Sequence, residues 1–133
     1  MKEIRKMKYL KQILMVVVAF VVLNVWLFRF NKATIYRGGE ASNMIEEFAV
    51  YGLSETIVYV VGALKVLAAL GLLAGLFYRK AILPSAALMA ALMIGAIVMH
   101  LKVGDEAIKF LPAGLMFVLS TSIFFMDKSS KTS

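Results

Sequence analysis

The sequence predicts an all-α protein, a four-helix transmembrane bundle with a short interfacial helix between the first and second spans. Three observations carry that expectation. Of 133 residues, 62% are hydrophobic and 17% charged, whereas a soluble domain holds about 45–50% apolar and about 25% charged residues; a chain of 14.7 kDa keeps too much wetted surface to hide the excess. The apolar residues gather into four runs, each near the roughly 20 needed to cross a hydrocarbon core of about 30 Å. Basic residues flank those runs, so the net charge of +7 reads as membrane topology, and no nucleic-acid partner is expected.

The chain reads as one integral membrane domain over residues 1–133, with spans at about 12–30, 53–78, 81–101 and 109–126. The first has its apolar core at Ile13 to Phe28, and Lys11 and Arg29 lengthen it by snorkelling. A basic segment precedes it, but Trp26, Phe28, Arg29 and Phe30 stand where signal-peptide cleavage needs small residues, so it reads as a signal anchor. The loop from Asn31 to Gly52 breaks at Gly38-Gly39, after which Asn43-x-x-Glu46 resembles a capping box. Met44, Ile45, Phe48 and Ala49 then share one helical face opposite Glu46 and Glu47, which predicts a short helix lying over the outer mouth of the bundle. Tyr36, Tyr51 and Tyr59 suit the headgroup level or a mouth lining.

The second span is interrupted only by Lys65, and the tight Arg79-Lys80 connection makes it an antiparallel neighbour of the third. Gly71 and Gly75, and then Ala87, Ala91 and Gly95, recur at spacing four, the pattern that lets helices approach closely in lipid. Pro84 and Pro112 sit near span starts, where a missing N–H is tolerated. Four spans put both ends of the chain on one side. With the N-terminus inside, the inner segments carry nine Lys and Arg (Lys2, Arg5, Lys6, Lys8, Lys11, Arg79, Lys80, Lys128, Lys131) and the outer ones five (Arg29, Lys32, Arg37, Lys102, Lys109). That excess predicts cytoplasmic termini.

A chain with no cysteine and one histidine cannot build disulfide, iron–sulfur or thiolate metal sites. Met89, Met93 and Met99 near His100 read as gap-filling side chains rather than haem ligands. No phosphate loop, zinc-protease helix or nucleophile elbow is present, so no catalytic residue, intrinsic cofactor or metal site is expected. Function is therefore sought among ionisable groups at depth, each costing about 2.5–3.5 kcal/mol unless paired. Lys65 lies near the bilayer midplane, level with Ser120, Thr121 and Ser122 of the fourth span. Either it forms a polar knot with those hydroxyls, or burial neutralises it, or it snorkels. Glu55 and His100 lie just below the outer surface on neighbouring spans; together they would exchange a proton near neutral pH, unless His100 is simply an interfacial polar cap. Asn24, buried in the first span, supplies interhelical hydrogen bonding or a ligand contact.

From Val61 onward the chain resembles the DoxX and DoxX-like family of small bacterial membrane proteins. The resemblance is carried by Gly62-Ala63-Leu64-Lys65-Val66-Leu67-Ala68-Ala69-Leu70-Gly71-Leu72-Leu73, by Arg79-Lys80-Ala81 and the Ala-rich third span, and by Ala96-Ile97-Val98-Met99-His100-Leu101-Lys102-Val103-Gly104-Asp105. It places Lys65, His100, Gly104 and Asp105 at family motif positions. It implies a four-helix bundle in the bacterial cytoplasmic (inner) membrane. Some relatives are associated with thiosulfate–quinone oxidoreductases or with membrane oxidoreductase complexes that respond to oxidative stress.

Three functional readings follow. The first is a membrane subunit that associates with a soluble oxidoreductase and binds a quinone or similar lipid-soluble ligand in a cavity lined by Asn24, Glu55, Tyr59, Lys65, His100 and Ser120–Ser122. The second is a small proton-coupled transporter working as a homodimer, although its deep charge is positive where cation export needs a carboxylate. The third is a non-catalytic scaffold or assembly factor.

Overall fold

The computed structural model describes residues 2–132, with side chains described to Ser129. Among the described residues there are five α-helices and no strand. The helix α1 (Lys2–Leu23) runs directly into a π-helical turn at Asn24–Phe28. A loop leads to α2 (Met44–Val50) and α3 (Glu55–Ala74). The 3-10 turn Arg79–Ala81 opens α4 (Ile82–Lys102), and a second one, Ala107–Phe110, opens α5 (Leu111–Thr132). Four helical stretches, Lys2–Phe28, Glu55–Ala74, Arg79–Lys102 and Ala107–Ser129, are long and apolar enough to cross a membrane. They pack in a ring in which α1 meets α3, α3 meets α4, α4 meets α5 and α5 returns to α1. Met15, Val18, Val58, Leu72, Met89 and Ile123 are fully enclosed along its axis. Large apolar side chains such as Phe20, Leu67, Leu70 and Phe77 point outward, the inside-out distribution that lipid permits.

Close approach between α3 and α4 rests on glycine. A side chain on Gly71 would collide with the Ser85 hydroxyl, and a Cβ on Gly75 would lie 2.6 Å from Ile82 Cγ1. The Ala87, Ala91 and Gly95 stripe does otherwise than expected: all three are exposed, and nothing lies within 4 Å of a Cβ at Gly95. The buried face of α4 carries Ile82, Ala86, Met89, Met93 and His100 instead.

At the end holding the chain termini, Asp127 is fully buried. One carboxylate oxygen accepts from Lys11 Nζ at 3.0 Å and Arg79 Nε at 3.1 Å, while Arg79 Nη2 donates to the Asp127 carbonyl. This clasp ties α1, the α3–α4 turn and α5 together. The other Asp127 oxygen and the buried Ser120 hydroxyl have no partner among the described residues.

The opposite end is covered by α2. Asn43 Oδ1 accepts from the Glu46 N–H at 2.8 Å, the N-cap its sequence predicts, and the Glu46 carboxylate reaches back to the Ser42 N–H at 2.7 Å. Met44 and Phe48 are buried and Glu46 is exposed, but Glu47 turns inward. The solvent-facing position expected for Glu47 is corrected by its partners, three donors that replace its water.

Candidate functional site

Between α1, α3, α4 and α5, toward the α2 end, lies a cavity of about 850 Å³. Its walls are mostly apolar, with Val22, Val61, Met93, Ala96, Ala113 and Met116 among them. Its polar groups are Asn24 and Lys65 on the helices, and Arg29, Thr34, Tyr36, Arg37, Glu47, Tyr51, His100 and Lys109 toward the α2 end. Phe20 and Val21 of α1, Asn24 of the π-helical turn and Ala91 and Gly95 of α4 both line it and are exposed. Ala91 and Gly95 lie about 13–20 Å along α4 by helical rise, so the cavity opens at hydrocarbon depth.

The π-helical turn sets the inner wall. It directs Trp26 inward, where its ring packs edge-on to Phe48 at 5.9 Å and tilted to Phe30 at 6.0 Å. The indole lies so close to α3 that a Cβ on Gly62 would stand 2.7 Å from its ring carbons. Lys65, on the next turn of α3, holds its Nζ 5.3 Å from the Trp26 ring centroid, a cation–π contact worth about 2 kcal/mol when desolvated. Side chains on a helix lean toward its N-terminus, and α3 starts at the α2 end. Lys65 therefore reaches up to Trp26, and no bond joins it to the hydroxyls of α5. Ser120 is buried with no hydrogen-bond partner among the described residues, Thr121 is half-buried, and the Ser122 hydroxyl donates to the Val118 carbonyl at 2.8 Å. None of the three is among the residues lining the cavity.

The α2 end is a continuous polar network. Arg37 donates to Glu47 at 2.9 Å and to the carbonyls of Arg29, Phe30 and Lys32. Glu47 also accepts from the Gly38 N–H at 3.0 Å and the Tyr51 hydroxyl at 2.8 Å. Burial, with the Glu47 carboxylate beside it, pushes the Tyr51 phenol above its ordinary range, so it stays a donor. Its oxygen is 3.5 Å from His100 Nδ1, and the two rings meet edge-on at 5.8 Å. Lys102 donates to the Tyr51 carbonyl at 2.9 Å.

His100 takes its carboxylate from its own helix end. Gly104, with φ +68°, adopts the left-handed conformation that suits glycine. Its N–H then bonds the Leu101 carbonyl and the Asp105 N–H bonds the His100 carbonyl, a Schellman closure. The chain thus folds Asp105 back onto the ring, with Oδ2 2.7 Å from His100 Nδ1. Gly52, with φ +83°, ends α2 in the same way. Asp105 Oδ1 accepts from the Gly39 N–H at 2.9 Å, and Lys109 lies 3.8 Å from that oxygen while donating to the Gly39 carbonyl. Burial alone would raise the Asp105 carboxyl, but the bonds from His100 and Gly39 and the charges of His100 and Lys109 outweigh it and hold it below the usual carboxylate range.

Of the sequence-predicted residues, the structure brings Lys65, His100 and Asn24 to one cavity. Asn24 is an exposed rim residue rather than a buried one. Glu55 and Tyr59 pair with each other, the hydroxyl donating at 3.3 Å on the exposed face of α3, and Tyr59 stacks on Phe30. The carboxylate partner of His100 is Asp105, not Glu55. The residues that sequence reasoning passes over are Trp26, Arg37, Glu47 and Asp127. The glycine closing α4 was the readable signal for the His100–Asp105 pair.

Four helices long and apolar enough to cross a membrane, packed around a polar-headed cavity, define a small integral membrane protein. The family comparison agrees: the model of the DoxX-like family matches residues 13–122. The chain belongs to that family. No curated protein and no solved structure matches it.

Proposed function

We propose that the whole chain acts as a single membrane domain in the bacterial cytoplasmic membrane, both termini cytoplasmic, and binds a lipid-soluble ligand of the quinone type as a subunit of a redox complex. The observation that carries this reading is the cavity itself. It is mostly apolar, it opens at hydrocarbon depth, and its polar groups, Lys65 and His100 among them, gather toward one end. Ligand sites of this kind are mostly hydrophobic with a few placed polar groups.

Lys65 Nζ is free to donate to a ligand oxygen. The Asp105 carboxylate requires a proton on His100 Nδ1, which leaves Nε2 as the acceptor nitrogen of the neutral ring. Reduction of a quinone consumes two electrons and two protons. A His–carboxylate pair beside the α2 loop suits the proton side of that exchange. With no cysteine and one histidine in the sequence, the electrons come from a soluble oxidoreductase partner.

The test is extraction of the protein with its surrounding lipid from native membranes, followed by solvent extraction and proteomics. Quinone enriched over bulk lipid to about one per chain, with a co-eluting oxidoreductase, is the expected result. Bulk-membrane quinone content with no redox partner would contradict the proposal.

A further inference from the structure

Among the described residues, the other charges enclosed in the bundle have counter-charges. Arg37 is held by Glu47, Lys109 and His100 by Asp105, and Lys11 by Asp127. Lys65 is the exception: among the described residues it makes no hydrogen bond and no ion pair, only the contact with the Trp26 ring. The carboxylate whose field reaches it, Glu47, is already occupied by Arg37, the Gly38 N–H and Tyr51. An uncompensated ammonium inside an apolar cavity is expensive, and an anion brought alongside it is favoured far more than in water.

We infer that the cavity selects a lipophilic organic anion, a molecule with an apolar, planar body and one ionised oxygen that pairs with Lys65 Nζ. The inference rests on the ligand-cavity reading above and narrows its substrate class. The indole face beside Lys65 suits a flat conjugated ring, which would lie against Trp26 while its oxyanion meets the ammonium.

Trp26 is the only tryptophan in the chain and lies in the site, so its fluorescence reports occupancy directly. The intact protein in lipid nanodiscs is titrated with two matched naphthoquinones, the 2-hydroxy compound, ionised at neutral pH, and the neutral 2-methyl compound. The wild type is expected to bind the hydroxy compound at least about tenfold more tightly, Lys65→Arg to keep the preference, and Lys65→Met to lose it. Equal affinity of the wild type for the two overturns the inference while leaving the cavity reading intact. Saturable quenching by neither compound removes both.

Discussion

Asp105 accepts from the His100 ring and from the Gly39 N–H, and so couples the histidine on the cavity wall to the loop that covers the cavity. Its carboxyl is held below the usual range. A carboxyl depressed in the folded state contributes stability that is complete above its ordinary value of about 3.9 and is lost as pH falls through the lower folded value. Hydrogen exchange of the peptide containing Gly39, corrected for intrinsic rates, should show constant protection from neutral pH to about pH 5 and a steep fall below about pH 4. Asp105→Asn should show weak protection throughout. Identical profiles for the two proteins would count against the coupling. Lys65 and His100 are legible in sequence because ionisable residues within apolar spans are rare. Glu47 is not, because on a short amphipathic helix it reads as the solvated face, and only the fold brings Arg37, ten residues earlier, to meet it.

Among elements, the end of α1 matters most. Its final turn widens to a π-helix at Asn24–Phe28, a departure common at functional sites, and apolar periodicity does not register one extra residue in a turn. Boundaries set by apolar runs and glycine breaks were legible: the expected Asn43 cap and the tight connection at Arg79 both correspond to observed features. The packing of Trp26 on Gly62 was not, since glycine in a span reads as a general small-residue contact. Gly62→Ala places a Cβ 2.7 Å from the indole carbons and must shift the ring. Expected are a changed Trp26 emission spectrum and a stability loss of about 1–3 kcal/mol. An unchanged spectrum at unchanged stability would show that the ring is not held as described.

For the molecule as a whole, the two ends of the bundle are closed by different polar devices, and the cavity occupies the half nearer α2. The Asp127 clasp draws on Lys11, 116 residues away, a separation beyond the reach of any local pattern; beside Lys128, Asp127 reads as an ordinary interfacial acid. Its two cations differ in kind. The Lys11 side chain is 9% exposed and that of Arg79 47%. Asp127→Ala strands a buried ammonium and should cost about 3–5 kcal/mol, whereas Arg79→Ala should cost less than about 1 kcal/mol. Denaturation in mixed micelles compares them, and equal losses would mean that Arg79 rather than Lys11 is the main partner.

The bundle itself was readable from composition and spacing alone, whereas the cavity depends on which side chains converge across four helices. That convergence is tested most directly by photolabelling the protein in its native membrane with an azido-quinone and mapping the labelled peptides. Label concentrated on residues 20–26, 61–65 and 91–100, and reduced by Lys65→Met, is the expected pattern. Label spread over outward-facing positions such as Leu67, Leu70 and Phe77, unchanged by that substitution, would contradict a ligand site inside the bundle.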